Sequence, residues 1–265
     1  HVAVSKEGSD CILQFVNTSN TFTVELPGSV TTLDALVLGG GGGGSFSGGG
    51  AGALFDTTQN DSSSGEVPQS VSDGDSDGFV TVQVRVGAGG AGSSPVKGDA
   101  SNGGESWIDP EGAAKTTMDG GAGGVFRQVG GGRSKGQENG NASTSGAVVV
   151  KADNRQDSED SYHPESDGDF GRAGGDADIS NGCTAQNRGS GTGLLAVAGG
   201  GGGAGGTGSS GTGFNTCNVG AGDGGDGRTS SIVAFDSAMG GEKLGSEVWY
   251  AGGGGSGSQT RNSSS

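Results

Sequence analysis

Four stretches of the chain read as short apolar strands and then run directly into glycine. They are "VTTLDALVLGGGGGG" at 30–44, "FVTVQVRVGAGGAG" at 79–92, "GLLAVAGGGGGAGG" at 193–206 and "SEVWYAGGGGSGS" at 246–258. In the second, Val80, Val82, Val84 and Val86 recur at every other position, the period of a strand with one face buried. "TTMDGGAGG" at 116–124 and "GVFRQVGGG" at 124–132 repeat the design more weakly. A flexible linker has no reason to place a strand before each glycine run. The pattern predicts short strands continued by ordered glycine segments, with almost no α-helix.

Composition sharpens this picture. Only 29% of the 265 residues are hydrophobic and 64 are glycine, roughly three times average usage. An apolar core of ordinary size is therefore not expected. Collagen is excluded, because the G-X-Y period is missing and there are five prolines. Glycine runs order without proline as polyproline-II-type helices of three residues per turn, whose backbone groups must pair with neighbouring helices. Neighbours come close enough only where side chains do not intervene. The predicted fold class is thus all-β and irregular, a small sheet whose strands run into a packed bundle of polyproline-II-type glycine helices. Residues 1–258 read as a single glycine-rich domain and 259–265 as a polar tail. If the runs at 39–44 and 199–203 are interior, a Cβ at Gly41 or Gly201 pushes neighbours apart.

The formal net charge of −16 repels phosphate backbones and anionic headgroups, which argues against nucleic acid as a partner. It also predicts stabilisation by added salt through screening. No apolar run approaches the roughly 18 residues of a membrane-spanning helix. A chain that opens on His1 reads as a processed portion of something longer.

These residues carry a family resemblance. "FVNTSNTFTVELPGSVTTLDALVLGGGGGG" resembles the start of the glycine-rich domains of phage tail-fibre and bacterial surface proteins, and "VTVQVRVGAGGAGSSPVKGDASNGGESWI" is similar to their second passage. The two later strand-to-glycine stretches follow in the family's order, so the resemblance spans about residues 14 to 258. One departure is the ending, "QTRNSSS", where the family closes with a further strand. The resemblance implies an extracellular, non-catalytic adhesion or receptor-binding module on a virion or cell surface, in contact with a receptor, a glycan or copies of itself. The alternatives are a filament subunit assembled by strand exchange and, more weakly, an ice-binding protein, which needs a flat face with a strict three-residue repeat.

Candidate chemistry is sparse. With His1 and His163 the only histidines, no H-E-x-x-H and no nucleophile elbow, the sequence contains no catalytic constellation, and the chain is not expected to be an enzyme. "DGDSDG" at 73–78 places Asp73, Asp75 and Asp77 as in the first half of a calcium loop. The second half is absent, since Val84 stands where a bidentate Glu is required, and an acidic turn is the competing reading. Calcium is accordingly the one cofactor considered. Tyr162, His163 and Phe170 form an aromatic cluster in a long acidic segment and are the candidate receptor contacts, with burial of Phe170 under its loop the alternative. Cys183 and Cys217 flank one glycine-rich segment and either pair across it, leaving Cys11 over, or stay as thiols. Sequons at Asn17, Asn60, Asn141 and Asn262 permit glycosylation in a eukaryotic secretory route, although chance produces such triplets readily in so Asn- and Ser-rich a chain.

Overall fold

The structure, a computed structural model, describes residues 2–7, 10–16, 20–45, 48–59, 68–93, 100–121, 123, 127–129, 133–135, 160–162, 177–180, 195–197, 199–210, 221–232, 241–245, 247–255 and 258–260. The strands are β1 (Val2–Glu7), β2 (Asp10–Phe15), β3 (Thr21–Pro27), β4 (Thr32–Leu33), β5 (Leu36–Leu38), β6 (Leu54–Asp56), β7 (Gln69–Ser70), β8 (Phe79–Arg85), β9 (Ser106–Pro110) and β10 (Thr116–Met118). They continue with β11 (Arg127–Val129), β12 (Arg133–Lys135), β13 (Asp160–Tyr162), β14 (Ala177–Ser180), β15 (Leu195–Val197), β16 (Arg228–Thr229), β17 (Glu242–Leu244), β18 (Glu247–Tyr250) and β19 (Ser258–Thr260). Among the described residues the only helix is one 3-10 turn, Thr57–Gln59. The fold is all-β, as the alternation predicts, and no described helix is long and apolar enough to cross a membrane.

Three apolar layers organise the strands. The first is the antiparallel sheet β10-β9-β8-β3. Val80, Val82 and Val84 face inward from β8, with Val80 paired to Leu26 across the ladder. Val71, Val80 and Val82 are buried, packed with Leu26, Val30, Leu33, Ile108 and Ala113. The second layer is the β5–β6 hairpin, whose two faces are both covered. Phe55 and Val37 pack with Ala53 and Met118, while Leu54, Leu36 and Leu38 pack with Ala204 and Tyr250. Residues one apart on a strand point to opposite faces, so Leu54 and Phe55 fasten one short strand to both neighbours. Tyr250 belongs to the third layer, the sheet β16-β18-β17, and its hydroxyl donates to the Ile232 carbonyl at 3.1 Å.

Polar groups at the end of β6 are buried with it. Asp56 and Thr57 are wholly inaccessible. Thr57 Oγ1 accepts from the Ala35 amide at 2.8 Å and donates to Asp34 Oδ1 at 3.1 Å, while Asp56 Oδ1 accepts from the Thr58 amide at 2.9 Å. The network meets the requirement that buried polar atoms be hydrogen-bonded and ties the turn after β6 to the segment before β5.

The remaining sheets are β13-β14-β15-β19 and the two-stranded β1–β2, β4–β7 and β11–β12. Ser258–Thr260 pairs with Leu195–Val197, so the chain beyond residue 258 supplies a strand as well as polar residues.

Candidate functional site

The glycine runs leave the layered strands at one end. Leu38 pairs with Leu54, Arg85 with Trp107, Met118 with Ser106 and Arg228 with Tyr250. Each of these residues is the last or first of its strand on the glycine side, except Trp107, the second of β9. The runs 39–44, 48–53, 87–92, 100–104, 119–121, 221–227 and 251–255 therefore start side by side, and 199–206 joins them between 48–53 and 251–255.

Their backbone hydrogen bonds step by three residues. Gly39 and Gly42 donate to Ala53 and Gly50 at 2.9 and 2.8 Å, and Gly40 and Gly43 donate to Gly104 and Ser101, both at 2.9 Å. Gly41 and Gly44 accept from Gly90 and Ser93 at 2.7 and 3.0 Å. The run 39–44 thus addresses three neighbours in rotation, and the Gly40 carbonyl also accepts from Gly121 of a fourth run at 2.8 Å. The step recurs where Ser101 and Gly104 donate to Ala91 and Ala88, where Gly48 and Ala51 donate to Gly199 and Gly202, and where Gly201 and Ala204 donate to Gly254 and Ala251. A β-ladder would return to the same neighbour every second residue. Run 48–53 is buried throughout and joins the two halves of the array.

Space for side chains follows the same rotation. A Cβ on Gly40 would overlap the Ala88 carbonyl, and one on Gly43 the Ala91 carbonyl. On Gly201 it would overlap the Gly49 carbonyl, as expected from the sequence. Gly41 departs from that expectation: it is exposed, and the nearest atom to an added Cβ, the Gly50 carbonyl oxygen, is 3.9 Å away. The sequence reading treated a run as uniformly interior, whereas a three-residue rotation at the edge of a bundle turns every third position outward.

At the opposite end of the first sheet lies the acidic turn. One oxygen from each of Asp73, Asp75 and Glu111 falls within 4.8 Å of the others, and Asp77 is not part of that group. Most of these carboxylates already serve the backbone. Asp73 accepts from the amides of Asp77 and Gly78 at 3.2 and 2.9 Å, and Asp75 from Asp77 at 3.2 Å. Asp77 accepts from Phe79 at 2.8 Å, while Glu111 bridges the amides of Gly74 and Thr81 at 2.7 and 3.0 Å. Ser76 sits at φ 64° and Gly78 at φ 92°, the left-handed geometry of a tight turn. These bonds account for the turn with protein groups alone. Glu111 was missed in the sequence because it lies 37 residues from Gly74; the "DPEG" turn at 109–112 was its one signal.

The Asp77 amide pulls the Asp75 pKa down, but partial desolvation and the charges of Asp77, Glu111 and Asp73 outweigh it, so the net shift is upward from 3.8. A carboxyl whose folded pKa is raised opposes folding while ionised, and the opposition fades as pH falls through the raised value toward 3.8. Asp75→Asn keeps the Oδ1 acceptor and removes the charge. We expect it to melt slightly above wild type at pH 7 in chelator, with the gap closing near pH 4. A lower melting point at pH 7 would contradict the repulsion. Stabilisation by calcium beyond magnesium, removed by the same substitution, would assign an ion to the turn.

The other expected sites lie largely outside the described residues. Of the aromatic cluster, Tyr162 ends β13, while His163 and Phe170 lie outside the described residues, as do Cys183, Cys217, Asn17, Asn60, Asn141 and Asn262. Cys11 is a free, exposed thiol on β2.

Fold and array together define an all-β protein built on hydrogen-bonded glycine runs. The model of the glycine-rich domain family matches residues 17–265, and the chain belongs to that family. No curated protein and no solved structure matches it.

Proposed function

We propose that the chain is a non-catalytic extracellular adhesion module, with the glycine runs forming a polyproline-II-type bundle that displays binding segments at its far end. The three-residue hydrogen-bond step supports the helix type, since polyproline II has three residues per turn. The observation that carries the display role is the common exit of the runs from the strands. The segments 94–99 and 211–220 are attached to Ser93 and Ala100, and to Ser210 and Ala221, at the end of the array away from the three apolar layers, the end where β15 and β19 also adjoin the glycine runs. Binding segments held by a rigid scaffold are the usual arrangement for recognition. The resemblance to tail-fibre and surface domains supplies the receptor or glycan as the ligand class.

The test separates display from folding. Replacing 94–99 and 211–220 with Gly-Ser segments of equal length, or replacing Tyr162 and His163 with alanine, should leave the melting temperature within about 2 °C, an effect below roughly 1 kcal/mol. One of the two changes should abolish attachment to cells that bind the parent module. Attachment that survives both changes together rejects the display reading.

A further inference from the structure

The run 39–44 lies at the surface of the array, and its outward row, like Gly252 and Gly255 of run 251–255, carries exposed amides. At other peripheral positions, amides are met by side chains. Gly87 donates to Ser106 Oγ at 2.8 Å, Gly123 to Asn102 Oδ1 at 2.8 Å and Asp223 to Ser209 Oγ at 2.6 Å. The amides of Gly41 and Gly44 have no acceptor among the described residues. Both residues are exposed, and a Cβ on Gly44 would meet nothing within 4 Å.

The adjoining run completes the feature. Gly89 and Gly92 are also exposed and stand beside Gly41 and Gly44; a Cβ on Gly89 would lie 3.8 Å from the Gly41 carbonyl oxygen, and one on Gly92 3.1 Å from that of Gly44. The carbonyls of Gly89 and Gly92 accept no hydrogen bond among the described residues. Two free donors on one run and two free acceptors on the next therefore share one bare face, each pair spaced by the three residues that the internal runs use on one another.

We infer that this face is a self-complementary docking surface for a second copy of the chain, which extends the glycine array across a two-fold interface. The internal pairing of 39–44 with 48–53 and 100–104 is the contact being continued. A two-fold interface is isologous, so a face that carries both halves of a bond satisfies both copies at once. In this arrangement the Gly41 and Gly44 amides of one copy meet the Gly89 and Gly92 carbonyls of the other. Gly41, Gly44, Gly89 and Gly92 carry no charge, whereas the chain as a whole carries −16, so association strengthens as salt screens the bodies. Bare backbone is what permits the approach, just as an unprotected sheet edge permits strand addition.

The substitutions Gly41→Val and Gly44→Val, made together, test this without disturbing the monomer, because both side chains enter open space. Sedimentation of the full chain from about 1 to 100 μM in about 0.5 M salt should show a monomer–dimer equilibrium for wild type. The double variant should keep the wild-type monomer's melting temperature and weaken dimerisation by about tenfold or more, a change of about 1.4 kcal/mol. Amide exchange of Gly41 and Gly44 should slow in the wild-type dimer. A wild type that remains monomeric throughout, or a dimer that the folded double variant forms equally well, overturns the inference.

Discussion

Gly43→Ala should unfold the protein or lower its melting temperature by about 10 °C or more, while Gly41→Ala, two residues away, should leave it unchanged. The new methyl at Gly43 overlaps the carbonyl group of Ala91, and a neighbouring backbone cannot rotate aside as a flexible side chain can. Relief requires that run 87–92 move away, which parts Gly90 from Gly41, 2.7 Å apart, and strains the Gly43 bond to Ser101 at 2.9 Å. Each buried group left unsatisfied costs about 1 to 3 kcal/mol, against a total stability of only about 5 to 15. At about 2 to 4 °C per kcal/mol for a chain of this size, two lost bonds reach the stated shift. Gly41 faces solvent with 3.9 Å of clearance, and alanine there also removes conformational entropy from the unfolded chain. Equal melting of the two variants in a thermal scan would show that the runs do not pack with a three-residue rotation.

Leu54→Ala is expected to cost about 2 to 5 kcal/mol, the range for removing a buried leucine, and to lower the melting temperature by roughly 5 to 20 °C. Leu54 is wholly inaccessible and packs between Tyr250 and Ala204 on one side of the β5–β6 hairpin. Among the described residues the apolar core is divided into three small clusters, and the Leu54 cluster is the one that holds the middle layer to the sheet β16-β18-β17. A cavity at Leu54 also loosens run 48–53, which enters β6 directly and carries bonds to both halves of the array. Leu244, 56% exposed on β17, is the control; its replacement by alanine should change stability by less than about 0.5 kcal/mol. Chemical denaturation of both variants reads the difference, and a Leu54→Ala cost as small as that of Leu244→Ala would dissolve the layered core described above.

Local pattern made the strands legible. Period-two alternation placed Val80, Val82 and Val84 on one face of β8, and glycine marked where strands at 36–38, 79–85 and 247–250 end. Burial of one face is a local requirement, so it leaves a local trace. β6 and β9 were not legible. "LFD" at 54–56 is buried on both faces and shows no alternation, and "SWIDP" at 106–110 is defined as a strand by its pairing to β8 and β10. The acidic turn was half legible: Asp73 and Asp75 stood in a motif, but Glu111 reaches them only through the β8–β9 pairing.

The sequence by itself determined that glycine must be structural here, because strands precede the runs and only a residue without Cβ lets backbones pair at this distance. It could not say which glycines are irreplaceable. That depends on which side of each run meets another run, and the neighbours of 39–44 come from residues 50–53, 90–93, 101–104 and 121. Contacts between segments so far apart in the chain leave no periodicity within any one of them. Tertiary packing alone turned Gly40 and Gly43 inward and Gly41 and Gly44 outward, since a chain of identical residues acquires distinct faces only when other chains lie against it.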